Sequence, residues 1–138
     1  MIRLSVVLVV PILLGLLVPG IADAADAEPK SYCELKTTSG ETREVECPMN
    51  ASGATQRFAF RTNFSGGHDD TTASMIASLD GLPLNCEEGS KTTLMGEDGD
   101  VSLECKFSVR ARAGTRLVLK VTLSWRHAEY SDFEFRSD

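Results

Sequence analysis

Leu117-Val118-Leu119-Lys120-Val121-Thr122-Leu123-Ser124-Trp125 carries apolar side chains at every odd position and, Val118 apart, polar ones between them. Successive side chains of an extended chain point to opposite faces, so this alternation specifies a strand with one face in a core and the other in water. The preceding stretch repeats the pattern. Val101, Leu103, Cys105, Phe107 and Val109 alternate with Ser102, Glu104, Lys106 and Ser108. Further upstream, Phe58, Phe60, Thr62 and Phe64 alternate with Ala59, Arg61 and Asn63. A helix would space its apolar residues three and four apart, and none of the three stretches does. Weaker strand candidates lie at 73–79, 82–87, 91–95 and 132–136. Turn signals separate them at Thr38-Ser39-Gly40, Ser65-Gly66-Gly67, Asp80-Gly81, Gly96 to Asp100 and Ala113-Gly114. Asp-Gly between apolar flanks is a tight-hairpin signal.

Roughly seven to nine short strands with no helical segment predict an all-β fold, an antiparallel β-sandwich. The run Asp98-Gly99-Asp100-Val101-Ser102-Leu103-Glu104-Cys105 resembles the approach to a Cys-bearing strand in immunoglobulin-type domains. Leu103 stands where those domains carry their corner Tyr, and Trp125 follows both Cys of the pair instead of lying between them. The resemblance implies an Ig-like architecture and no function.

Residues 1–24 read as an export signal. Arg3 precedes the uncharged run Leu4–Ala22, and Ala22-Asp23-Ala24 has the small residues a signal peptidase requires, predicting cleavage after Ala24. Pro11, Gly15, Pro19 and Gly20 argue against a permanent membrane span. Residues 25–30 (ADAEPK) read as a flexible lead, and 31–138 as one domain in the periplasm or outside the cell, without stable membrane insertion.

The four cysteines fit that compartment. Cys33, Cys47, Cys86 and Cys105 are an even set with no C-x-x-C spacing, so disulfides are expected instead of metal or redox chemistry. Four Cys allow three connectivities, and strand register selects among them. A hairpin about Gly40 sets Cys33 opposite Cys47, Leu35 opposite Val45 and Lys36 opposite Glu44, at the expense of a Glu34/Glu46 clash. The remaining pair is Cys86–Cys105.

Charge is unevenly distributed. The chain is net -6, which argues against nucleic acid as partner, yet residues 106–126 hold Lys106, Arg110, Arg112, Arg116, Lys120 and Arg126 and no acid. If the stretches 101–109 and 117–125 pair as a hairpin, Arg110 faces Arg116 and Lys106 faces Lys120. Such like-charge pairs need compensation, either from Glu87, Glu88, Glu104 and Glu134 or from an anionic partner. Lys106, Arg110, Arg112, Arg116 and Lys120 are therefore the candidate partner-binding residues.

Catalytic signatures are missing. There is no G-x-S-x-G, P-loop, H-E-x-x-H or dinucleotide fingerprint, so no cofactor is expected. Gly66-Gly67-His68-Asp69-Asp70 could present His68, Asp69 and Asp70 to a divalent metal, although Gly and Asp are also ordinary turn formers. Glu97-Asp98-Gly99-Asp100 lacks the ordered alternation of a calcium loop. A hydrolase using His127 with Glu129 or Asp132 is the remaining enzymatic option, and Trp125 falls in phase with the buried row. The expected function is a non-enzymatic, exported binding module (an inhibitor, assembly factor or chaperone-like protein) engaging a protein or anionic macromolecule of the envelope. The alternative is a small periplasmic metal-binding protein.

Overall fold

The computed structural model describes residues 33–138, which form two antiparallel sheets and no helix. The larger sheet has β1 (Glu34–Ser39), β2 (Thr42–Asn50), β8 (Arg116–Arg126) and β4 (Thr72–Leu79) as successive neighbours. The short β5 (Leu82–Pro83) and β6 (Thr93–Met95) both pair with the far side of β4. The smaller sheet is β7 (Gly99–Val109), β3 (Gln56–Gly67) and β9 (Glu129–Ser137), with β3 in the middle. The segments 1–24 and 25–30, read above as signal and lead, lie outside the described residues.

The three alternating rows explain the two layers. Phe58, Phe60, Thr62 and Phe64 of β3 and the odd residues 101–109 of β7 are buried from one side, and the odd residues 117–125 of β8 from the other. Leu119, Val121 and Leu123 are completely buried, each worth about 1.5–3 kcal/mol relative to exposure. Aromatic contacts fix which strands face each other. Phe64 of β3 meets Trp125 of β8 with ring centroids 5.6 Å apart, and Tyr130 of β9 lies 3.9 Å beneath the Arg43 guanidinium of β2. β7 comes nearest β4. β1 therefore overhangs, with no strand of the smaller sheet opposite it among the described residues.

The expected 101–109/117–125 hairpin does not form. β7 pairs with β3, setting Phe107 opposite Phe58, and β8 lies between β2 and β4, with Leu119 facing Cys47 and Leu79. Both strands have a complete apolar row. In opposite sheets the rows bury each other, whereas side by side they would form one layer needing a further cover. Lys120 consequently lies opposite Glu46 and reaches Glu44 at 3.1 Å, and Lys106 lies beside Glu104 at 3.7 Å.

Both disulfides form as the registers require, Cys33–Cys47 and Cys86–Cys105. In the first hairpin a two-residue turn, Gly40-Glu41, sets Ser39 opposite Thr42, which alone would displace Cys33 by one residue. A bulge at Lys36 absorbs that residue and restores Leu35↔Val45 and Glu34↔Glu46. It also answers the carboxylate clash. Lys36 Nζ lies 2.6 Å from Glu34 and 3.7 Å from Glu46, in place of the expected pairing with Glu44, and this hydrogen bond and charge lower the Glu34 pKa. At the second hairpin, Asp80 (φ 49°) and Gly81 (φ 79°) both take left-handed φ, as a type I′ turn requires. The candidate strands 82–87 and 91–95 contract to β5 and β6. Between them the chain leaves β4 for β7, where the Glu87 N–H donates to the Lys106 carbonyl at 2.7 Å and Lys91 bridges Glu104.

Candidate partner-binding surface

The connecting segments collect at two ends of the sandwich. One end gathers the β1–β2 turn, the β3–β4 loop, the β6–β7 loop and the β8–β9 corner. Glu41, Asp69, Asp70, Glu97 and Asp98 belong to these segments, and no Lys or Arg does. The other end gathers segments 51–55 and 110–115 and the Asp80-Gly81 turn, and carries Arg110, Arg112 and Asp80; Arg116 opens β8 here and Arg126 closes it at the acidic end. The molecule is polarised along its strands.

At the acidic end, Thr71 is fully buried and organises the loop. Its hydroxyl accepts the His68 N–H at 2.8 Å and donates to the His127 carbonyl at 2.5 Å, while the Thr71 N–H returns to the His68 carbonyl at 2.9 Å. The protein's two histidines are thereby brought together, with ring centroids 5.4 Å apart. His68 Nδ1 accepts the Asp70 N–H at 3.3 Å, as a turn would use it. Among the described residues no three His, Cys, Asp or Glu side chains converge as metal ligands. A close approach also explains Gly67: a Cβ there would lie 2.5 Å from the Glu97 carbonyl. Lys91 is hydrogen-bonded to Glu97.

His127 sits at the β8–β9 corner with φ 57°. Among the described residues neither proposed hydrolytic partner is hydrogen-bonded to its ring; Asp132 instead accepts the Asn63 side-chain N–H at 2.5 Å across the smaller sheet. Trp125 is buried, stacked on Tyr130 and packed against Phe64, so its indole is core.

The five basic candidates separate. Lys106 and Lys120 are held by Glu104 and Glu44 on outer faces of different sheets. Arg110, Arg112 and Arg116 are exposed around the β7–β8 connector, and none joins an ion pair among the described residues. That connector is fixed by backbone hydrogen bonds, Ala51 N–H to Thr115 carbonyl at 2.8 Å, Gly114 N–H to Ala51 carbonyl at 2.9 Å and Thr115 N–H to Arg112 carbonyl at 3.0 Å. Asp80, in the turn at the same end, accepts the Val118 N–H at 2.8 Å through Oδ1 and joins no ion pair with the three arginines among the described residues. Three guanidiniums, two on this connector and one at the start of β8, can make paired, directional hydrogen bonds to carboxylate or phosphate oxygens.

Sequence reasoning missed Arg43. It lies in phase with Val45 and Cys47, so its side chain turns inward, over Tyr130 and 5.8 Å from the Trp125 ring, and its Nε is buried with no hydrogen-bond partner among the described residues. Burial raises the Tyr130 pKa, with Arg43 opposing the shift. The available signal was a lone Arg on an apolar phase.

Comparison with protein families, with characterised proteins and with solved structures finds no match to this chain.

Proposed function

We propose that this protein is an exported, non-enzymatic binding module, and that the Arg110–Arg112–Arg116 corner engages an anionic macromolecule of the envelope. The observation that carries the reading is the charge arrangement. In a chain of net -6, Lys106 and Lys120 are ion-paired within the fold, Lys106 sharing Glu104 with Arg61, while Arg110 and Arg112 of the connector tied to Ala51 and Arg116 at the start of β8 join no ion pair among the described residues. A preordered cationic patch on an otherwise acidic body speeds encounter with anions and orients the complex. The two disulfides fit an oxidising compartment. The apolar Leu4–Ala22 run and Ala22-Asp23-Ala24 support delivery there by a signal peptide cleaved before Ala25.

The test is capture on immobilised envelope fraction. The Arg110→Glu, Arg112→Glu, Arg116→Glu protein should keep both disulfides and its melting temperature and lose capture, with wild-type capture falling as salt rises. Undiminished capture by the triple variant would refute the assignment. Intact mass of exported material, starting at Ala25 or not, tests the cleavage site separately.

The second reading, a metal held by His68 with Asp69 and Asp70, has against it that no three His, Cys, Asp or Glu side chains converge among the described residues and that His68 Nδ1 accepts the Asp70 N–H. Stoichiometric metal in protein purified without chelators would support it, and metal-free protein with full envelope capture would dismiss it.

A further inference from the structure

The larger sheet extends one strand beyond the smaller. Because β9 faces β2, the position beside β9 and opposite β1 is vacant among the described residues. All six residues of β1 are exposed, and Leu35, on the inner side with Val45, is 50% exposed. On β9, Phe133 and Phe135 turn toward the core yet are only partly buried. The outer edge of β9 has backbone groups to offer. The Asp138 N–H donates to the Arg57 carbonyl at 3.0 Å, and antiparallel ladders alternate, so the N–H and carbonyl groups of Phe133, Phe135 and Ser137 point away from β3. Edge strands are normally blunted by bulges or Lys. β1 has both at Lys36; β9 has its bulge at Ser131, near its start, and no Lys, and its register is uninterrupted from Asp132 to Ser137.

We infer that the free edge of β9 accepts a lone extended segment of a partner protein, added antiparallel as a fourth strand of the smaller sheet beneath β1. A second copy of this chain does not fit. Its own β9 would arrive with its β2 stacked on it, at the level β1 already occupies. The surroundings set the segment's chemistry. Residues pointing inward meet Leu35, Phe133 and Phe135 and must be apolar. Residues pointing outward lie beside Asp132, Glu134 and Arg136; Glu134, opposite Arg61 and without an ion pair among the described residues, selects Lys or Arg at the position next to it. The C-terminal end of an antiparallel segment arrives where β9 begins, near Tyr130 and the half-buried Arg43 guanidinium, which has no ion pair among the described residues and selects a carboxylate. Main-chain hydrogen bonds then supply affinity and the alternating side chains supply specificity. This surface uses none of the three corner arginines.

The probe is a fluorescein-labelled synthetic octapeptide alternating Val with Lys or Thr and ending in Glu, titrated by fluorescence anisotropy against the oxidised domain, with amide exchange followed by NMR. Saturable binding should slow exchange at Phe133, Phe135 and Ser137, leaving Asp132, Glu134 and Arg136 as protected as before. N-methylating the peptide amides that face β9 should weaken binding by about tenfold or more, as should Leu35→Glu or Arg43→Gln in the protein. The variants' disulfides and melting curves report whether they fold, and the N-methylated peptide needs no variant at all. The inference fails if no saturable binding occurs, if protection falls on β1 instead, or if N-methylation changes nothing. A concentration-dependent dimer with β9 amides protected would also overturn it, by placing a second copy there.

Discussion

Reversing Lys120 to Glu separates the two uses of basic residues in this fold. Lys120 Nζ is 3.1 Å from Glu44 Oε1, and Lys120 stands directly opposite Glu46. In bulk water a pair at that distance is worth about 1.3 kcal/mol by Coulomb's law. With side-chain exposures of 47% and 30% the pair is solvent-screened, and exposed pairs of this kind measure about 0.2–1 kcal/mol. Lys120→Glu deletes that term and sets a third carboxylate beside Glu44 and Glu46, each new repulsion of similar size. The expected destabilisation is about 1 kcal/mol, or roughly 4–8 °C in melting temperature for a domain near 100 residues. Arg110→Glu, which breaks no ion pair, should stay within about 0.5 kcal/mol of wild type. Thermal melts at low salt and near 1 M salt provide the assay. The Lys120→Glu deficit should shrink in high salt, where the Debye length falls to about 3 Å. Equal melting temperatures for the two variants, or a deficit insensitive to salt, would refute the register that puts Lys120 between Glu44 and Glu46.

Thr71→Val removes the hydroxyl that joins the His68 N–H to the His127 carbonyl; leaving both groups without it should cost about 1–3 kcal/mol in denaturant titrations, whereas Thr71→Ser should recover most of that. Removing Cys86–Cys105 by a double Ala substitution should cost about 3 kcal/mol for its 19-residue separation, and denatured wild type should yield no thiol to alkylation. The raised Tyr130 pKa means the folded chain holds that proton after an unfolded one has released it. Its contribution to stability is therefore full below about pH 10 and declines as pH rises through the folded pKa. Tyrosinate absorbance should show a late step absent from Tyr130→Phe, and coincident titration in urea and in buffer would contradict it.

The sequence was most legible where one physical rule had a single solution. Alternation in 101–109 and 117–125 named the buried residues individually, and apolar register across 33–47 selected the disulfides. Alternation says which side of a strand is inside, however, and not which strand lies beside it. Lys106 and Lys120 therefore looked like one ladder until each was placed in its own sheet next to a carboxylate. The bulge at Lys36 was hidden for a related reason. Turn length and disulfide register demand pairings one residue apart, and only an inserted residue reconciles them. Arg110, Arg112 and Arg116 were visible as charge, but their isolation was not, because it depends on which carboxylates the fold brings within reach of them. The open edge of β9 was beyond reach, since it follows from the unequal width of two sheets.

The most direct test of the binding-module account is site-specific photocrosslinking from position 113, exposed in the loop that carries Arg110 and Arg112, in cells that export the protein. The account predicts one dominant macromolecular adduct from a benzoylphenylalanine at 113. That adduct should be lost in the Arg110→Glu, Arg112→Glu, Arg116→Glu background and not arise from position 39 on the β1–β2 side. No adduct at 113, or an adduct indifferent to those three charges, would contradict it.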